Sequence, residues 1–324
     1  MSVLELRDVV VEYKRRGRSS VRAVAGASLD VEAGQVAGLV GESGCGKSTL
    51  AKAATGLVPI ESGEVRFDGQ QVHPVSRLRV RPRRELGLQM VFQDPYSALN
   101  PRRRVRDQIA DSLRVAGMEE RLWPERTEEL LSQVGLPRSA AASYPHEFSG
   151  GQRQRLCIAR VLAVEPSVIV ADEPISSLDA STQASVAKLL LTLSRELGVG
   201  ILFISHDLAI VRQIADTVTV MYLGKVAETA PAEQLWAGPH HPYSDALIAA
   251  VPRADGTNTL PAFLPGEVPD PAAPPAGCRF HPRCPAVMDR CRRQEPALDA
   301  VTEGRRVACF LHSDAVVQGA DPAP

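Results

Sequence analysis

No stretch of 18 or more apolar residues occurs in these 324 residues, and the longest apolar runs, such as 199–204 and 246–251, match buried strands or helix faces. No membrane-spanning helix is expected. An excess of charge is missing too: 37 basic and 38 acidic residues leave a formal net charge of -1, without the electrostatic footprint of a dedicated nucleic-acid binder. Basic runs at 14–18, 77–84 and 102–106 have no interleaved aromatics and read as solvated surface. The first residues alternate like a strand and lack a basic segment followed by an apolar core, so no secretory signal is expected and the chain reads as cytoplasmic. In that reducing compartment the six cysteines are not a disulfide framework. No internal repeat is found.

Short β-branched runs do occur, at 36–40, 90–92, 168–171, 201–204 and 218–221. They predict buried strands of a largely parallel sheet. Helical patterns at 47–57 and 181–197 alternate with them, which predicts a doubly wound α/β core. Residues 95–165 break that order with helix-like segments at 105–115, 125–134 and 152–164, a helical insertion. Seven prolines between 252 and 275 predict a stiff connector over 252–277. The expected organisation is thus a main domain over 1–251, that connector, a small cysteine-containing module over 278–312, and a frayed tail over 313–324.

Gly41-Glu42-Ser43-Gly44-Cys45-Gly46-Lys47-Ser48-Thr49 fits Gly-x-x-x-x-Gly-Lys-Ser between a strand and a helix, the context of a phosphate-binding loop. Its backbone N–H groups and the helix N-terminus would cradle phosphates, Lys47 would neutralise γ-phosphate charge, and Ser48 would bind Mg²⁺. Asp172, ending a hydrophobic strand, would hold Mg²⁺ through water, leaving Glu173 to polarise the attacking water. His206 ends the next strand and reads as a γ-phosphate partner. Gln93 stands where a strand gives way to the insertion, placed to touch Mg²⁺ or water as a sensor. Tyr13, upstream of the glycine loop, would stack on adenine.

These motifs, with Ser149-Gly150-Gly151-Gln152 and Ser176-Ser177-Leu178-Asp179, stand in the order and spacing of an ATP-binding cassette (ABC) ATPase, which residues 3–250 resemble. Val91-Phe92-Gln93-Asp94-Pro95, Tyr144-Pro145-His146-Glu147-Phe148 and His241-Pro242-Tyr243-Ser244 narrow the likeness to ATPase subunits of oligopeptide, dipeptide and nickel importers. The resemblance implies two such domains meeting head to tail, so that Ser149, Gly150 and Gly151 of one cover ATP held by the other, with Gln152 and Asp179 also among the nucleotide-binding residues. It also implies a second ATPase, a paralogue by preference, two membrane permeases, an extracytoplasmic solute-binding protein, and a place on the cytoplasmic face of the membrane. A soluble ABC protein acting on nucleic acid or ribosomes is the alternative, but the chain has neither the second cassette nor the long coiled-coil arms of that type.

Cys278, Cys284, Cys291 and Cys309 follow a C-x5-C-x6-C-x17-C spacing with no C-x-x-C pair. A module too small for its own core suggests a metal staple, and the thiols leave open an iron–sulfur cluster, zinc with His281 or His312, or no ligand. The tails of peptide-importer ATPases resemble iron–sulfur segments, so the resemblance implies [4Fe–4S]. Seven arginines against four acids between Cys278 and Cys309 would offset its charge.

Overall fold

Period-two burial decides the central sheet. Ile169, Ala171, Ile201 and Phe203 enter one apolar layer while Val168, Val170, Leu202 and Ile204 enter another, as strands covered on both faces require. The computed structural model describes residues 2–14, 20–75, 82–251 and 266–313. Among these the strands are β1 (Ser2–Tyr13), β2 (Val21–Glu32), β3 (Val36–Val40), β4 (Ser62–Phe67), β5 (Gln70–Gln71), β6 (Leu88–Val91), β7 (Val168–Asp172), β8 (Gly200–Ile204), β9 (Thr217–Tyr222), β10 (Lys225–Pro231), β11 (Asp299–Thr302) and β12 (Arg305–Val307). Eight form a sheet in the order β11-β12-β10-β9-β3-β8-β7-β6. From β9 to β6 every pairing is parallel, as the alternating pattern predicted.

The helices include α1 (Lys47–Ala54), α2 (Pro95–Ala98), α3 (Val105–Ala116), α4 (Trp123–Gln133), α5 (Gly150–Leu162), α6 (Ala180–Leu197), α7 (Leu208–Ile214), α8 (Ala232–Ala237) and α9 (Pro242–Ala249). The first stops short of the expected residue 57. Thr55 turns its hydroxyl back onto the carbonyls of Ala51 and Lys52, and Gly56 takes a left-handed φ of 71°, which together end the helix. Between β6 and β7 the described residues contain no strand. There α3, α4 and α5 bury Val105, Ile109, Leu113, Leu130, Leu131 and Leu156 in one layer with the outer face of the main sheet.

A second, antiparallel sheet of order β2-β1-β4-β5 covers the other side. Leu50, Ala51, Ala53 and Ala54 of α1 share one apolar layer with Leu4, Leu6, Val24 and Val65 of that sheet and with Leu39, Val168 and Leu202 of the main one. The phosphate-loop helix is thereby fixed between two sheets.

The C-terminal region, expected as a small module after a connector, packs onto the main sheet. β12 pairs with β10 through Glu228–Val307 and Thr229–Arg306, so residues 299–307 extend the ATPase sheet. Phe280, 2% exposed, meets Tyr222 edge-on at 5.3 Å between ring centroids and Tyr243 at 5.3 Å. Burying these rings together lets the segment share the main core instead of building its own, which a chain this short could not do. The connector residues 252–265 and the tail 314–324 lie outside the described residues.

Candidate active site

Four neighbouring strands, β6, β7, β8 and β3, end at one edge of the sheet, and each delivers a predicted residue there. This carboxyl edge is where ligands of open α/β sheets bind. After β3 the chain turns sharply: a Cβ on Gly41 would stand 2.1 Å from the Met221 carbonyl oxygen, and one on Gly46 2.2 Å from that of Ala23. Only glycine fits at these two positions. Ser43 and Gly44 are exposed at its tip, Cys45 is buried, and Ser48 and Thr49 lie half-buried on the first turn of α1. Lys47, 4% exposed, donates from Nζ to the carbonyls of Gly41 at 2.8 Å and Glu42 at 3.0 Å. An ammonium held by its own loop is poised to exchange those carbonyls for phosphate oxygens.

Asp172, 5% exposed, accepts a hydrogen bond of 2.9 Å from the Ser48 hydroxyl. Burial pushes its pKa up, and the Ser48 bond opposes that. A hydroxyl and a carboxylate in contact form the small oxygen set that Mg²⁺ uses when phosphates and water complete its shell. Glu173 follows with a left-handed φ of 47°, a conformation costing on the order of 1–3 kcal/mol outside glycine. Its N–H is tied to the Ile204 carbonyl at 3.0 Å. The Glu173 Oε2 lies 3.3 Å from Gln93 Nε2 and 3.3 Å from His206 Nδ1. Gln93 also reaches the Ser176 hydroxyl at 3.4 Å, and the His206 side chain is 58% exposed. The structure thus brings Gln93 and His206 onto the Glu173 carboxylate.

Ser149 to Gln152 and Asp179 form a second cluster. Ser149 Oγ accepts from the Gln152 N–H at 3.3 Å, and Gln152 Oε1 accepts from the Ser149 N–H at 3.0 Å, a reciprocal cap on α5. The first-turn amides of Gly150 and Gly151 have no partner within the helix, which suits an anion. Asp179 caps α6, accepting from the Ser181 hydroxyl at 2.7 Å and from Thr182 N–H at 3.0 Å. These bonds, the Ser181 hydroxyl foremost, hold its pKa well below the usual carboxylate range. A Cβ on Gly151 would stand 2.2 Å from Thr182 Cγ2, so glycine permits the two helix starts to meet. Tyr13 ends β1 opposite Val21, 41% exposed. Beside it a hollow of about 160 Å³ is lined by Val21, Arg22, Ala23, Gly44 and Asp270 to Ala272.

The four C-terminal cysteines line one small pocket with His281 and Phe310. Burial pushes the Cys278 thiol up to about 11. Among the described residues no group of three or more His, Cys, Asp or Glu side chains is arranged to hold a metal ion. Sheet pairing and aromatic packing join the region to the ATPase core.

The sequence reading passed over three contacts at the loop. The Glu42 N–H donates to Tyr243 Oη at 2.9 Å, and its carboxylate receives Arg283. The signal for them was an acidic residue inside a phosphate loop together with an arginine excess in the tail.

Comparison with known proteins agrees with this geometry. Residues 24–176 match the ABC transporter model, and residues 227–291 the oligopeptide/dipeptide transporter C-terminal region. The chain is 44% identical over 317 residues to the di/tripeptide transport ATP-binding protein DppF of Pseudomonas aeruginosa, covering 95% of this chain and 97% of that one. Against the oligopeptide transport ATP-binding protein AppF of Bacillus subtilis identity is 43% over 322 residues, covering 96% and 98%. Among solved structures, cbiO1 of Clostridium perfringens, part of the ABC transporter complex cbiONQ, superposes with a TM-score of 0.62 at 28% identity, covering 73% and 91%. The cassette MJ0796, solved as a post-hydrolysis dimer with ADP and Pi, superposes at 0.60 with 25% identity, covering 71% and 98%.

Fold and site define an ABC-type ATPase. The chain belongs to the family of peptide ABC transporter ATP-binding proteins.

Proposed function

We propose that the chain hydrolyses ATP to drive peptide import through a membrane transporter, working from the cytoplasmic face as a peripheral subunit. The observation carrying this is the convergence of Gln93, Glu173 and His206 beside the Ser48–Asp172 pair, in a chain whose relatives are named for peptide transport. No described helix is long and apolar enough to cross a membrane, so passage of the solute requires other subunits. They would be two permeases, a solute-binding protein, and a second ATPase, by preference a paralogue.

In this reading Tyr13 stacks on adenine, and the loop from Gly41 to Thr49 wraps the phosphates. Ser48 and Asp172, with Gln93 as a further candidate, would hold Mg²⁺, which would supply charge neutralisation at the phosphates. Glu173 takes a proton from the attacking water, while His206 hydrogen-bonds the γ-phosphate. Ser149, Gly150 and Gly151 close over ATP on the opposite subunit, with Gln152 and Asp179 also binding nucleotide, so that ATP acts as an interfacial ligand and hydrolysis releases it. Co-expression with neighbouring permeases, followed by peptide uptake into vesicles loaded with ATP, tests the reading. Uptake that survives Lys47→Ala in both ATPase subunits would refute it.

We propose further that Cys278, Cys284, Cys291 and Cys309 hold a [4Fe–4S] cluster. Their shared pocket supports it. A cluster also spaces its thiolates more widely than a single ion does. Anaerobically purified protein should then carry about four irons and absorb broadly near 400 nm. Stoichiometric zinc, or no metal at all, would overturn it.

A further inference from the structure

A carboxylate inside a loop built for a triphosphate is electrostatically adverse, because like charges repel strongly where little water intervenes. Glu42 is such a group, five positions before Lys47. Arg283, from the C-terminal region, grips it with both guanidinium nitrogens, Nη1 to Oε2 at 2.8 Å and Nη2 to Oε1 at 3.0 Å. Two parallel bonds of this kind fix orientation as well as charge. The arginine side chain is 3% exposed and the glutamate 21%, so the pair sits largely out of water. Nη1 also donates to Tyr222 Oη at 3.3 Å, and the guanidinium carbon lies 5.8 Å from the Tyr222 ring centroid and 5.9 Å from that of Phe280.

The same residue is held twice more. Its N–H donates to Tyr243 Oη at 2.9 Å, and its carbonyl accepts from Lys47 Nζ at 3.0 Å. Tyr243 is fully buried and opens α9 just after His241 and Pro242. One loop residue is thereby bound at its amide by α9, at its carboxylate by the C-terminal region, and at its carbonyl by the phosphate-binding lysine.

We propose that Arg283 is a positioning residue for ATP binding: it neutralises Glu42 and, with Tyr243, holds the phosphate loop in shape for the nucleotide. The proposal rests on the loop being the ATP site, and assigns the C-terminal region a part in nucleotide affinity. Arg283 lies next to Cys284 in the chain, so whatever holds the cysteine pocket together also holds this grip.

The test uses the full chain in the assembled transporter, with ATPase kinetics and melting for Arg283→Met, Glu42→Gln and the double variant, and Lys47→Ala as control. Arg283→Met should raise the KM for ATP about tenfold, the scale of one unpaired like charge near the phosphates. Its kcat should stay within about twofold, because no group at the reacting phosphate is touched. Glu42→Gln in the same chain should bring KM back to within about threefold of wild type, since the repelling charge is gone. If Arg283→Met does not assemble, Arg283→Lys keeps the charge without the fork and should give a smaller rise, again relieved by Glu42→Gln. An unchanged KM, or a raised one that Glu42→Gln does not relieve, overturns the proposal and leaves Arg283 a packing residue. Failure of Lys47→Ala to weaken ATP binding would instead reject the ATP site itself.

Discussion

Replacing Glu173 by Gln removes one ionisable group and almost nothing else. The two contacts on Oε2, from Gln93 at 3.3 Å and His206 at 3.3 Å, can both be accepted by an amide oxygen. The backbone bond to Ile204 is untouched, and Gln and Glu carry the same penalty at a φ of 47°. Ground-state geometry and fold are therefore retained, and the change falls on the proton that the attacking water must lose. A positioned base contributes roughly 10²–10⁴-fold, equivalent to about 3–5 kcal/mol in the barrier. The measurement is steady-state phosphate release by the assembled transporter beside equilibrium nucleotide binding, with wild-type affinity expected alongside the slowed turnover. Turnover within tenfold of wild type would refute the assignment of Glu173 as base.

His206→Ala removes a side chain that is 58% exposed, so stability should stay within about 0.5 kcal/mol while turnover falls at least tenfold; a large drop in melting temperature with normal specific activity would mark a structural histidine. His241 is 4% exposed and accepts the Tyr243 N–H at 3.0 Å through Nδ1, and burial, aided by nearby His312, pushes its pKa down to about 4. The folded chain keeps it neutral where the unfolded chain takes up a proton, so stability is full above about pH 6.5 and falls by roughly 2 kcal/mol at pH 5. Urea unfolding of His241→Asn, which keeps an acceptor without titrating, should lose less over that range than wild type. Phe280→Ala should lower the stability of the whole chain by about 3–5 kcal/mol, since the ring lies in the main core; a calorimetric trace in which only a small separate transition moves would restore the independent module.

The parallel core was legible because its signals are local. β3, β7, β8 and β9 are short apolar runs, and period-two burial within each marks a strand covered on both faces. The candidate catalytic cluster was legible for a related reason: in an open α/β sheet the residue ending each parallel strand must emerge at one edge, so order along the chain placed Gln93, Asp172, Glu173 and His206 together. Neither the pairing within the four-stranded antiparallel sheet nor the joining of β12 to β10 has such a signal. Register between β1 and β4, or between Glu228 and Val307, depends on partners tens of residues away, which a single sequence does not display.

The packing of the C-terminal region was not legible because a count of cysteines, arginines and prolines describes composition, and composition does not say whose core a residue enters. Phe280 looks unremarkable between Arg279 and His281 in sequence, yet Tyr222 and Tyr243 close around it, and its position carries Arg283 to Glu42. An independent module would have left ATP binding indifferent to changes in the tail. A region that pairs with the ATPase sheet, shares its aromatic core and grips the phosphate loop makes nucleotide affinity depend on residues some 240 positions from that loop. Cooperative packing of this kind also explains why the His-Pro-Tyr element is buried: Tyr243 Oη can meet the Glu42 amide only if α9 is pressed against the loop, and the C-terminal ring at Phe280 helps to press it there.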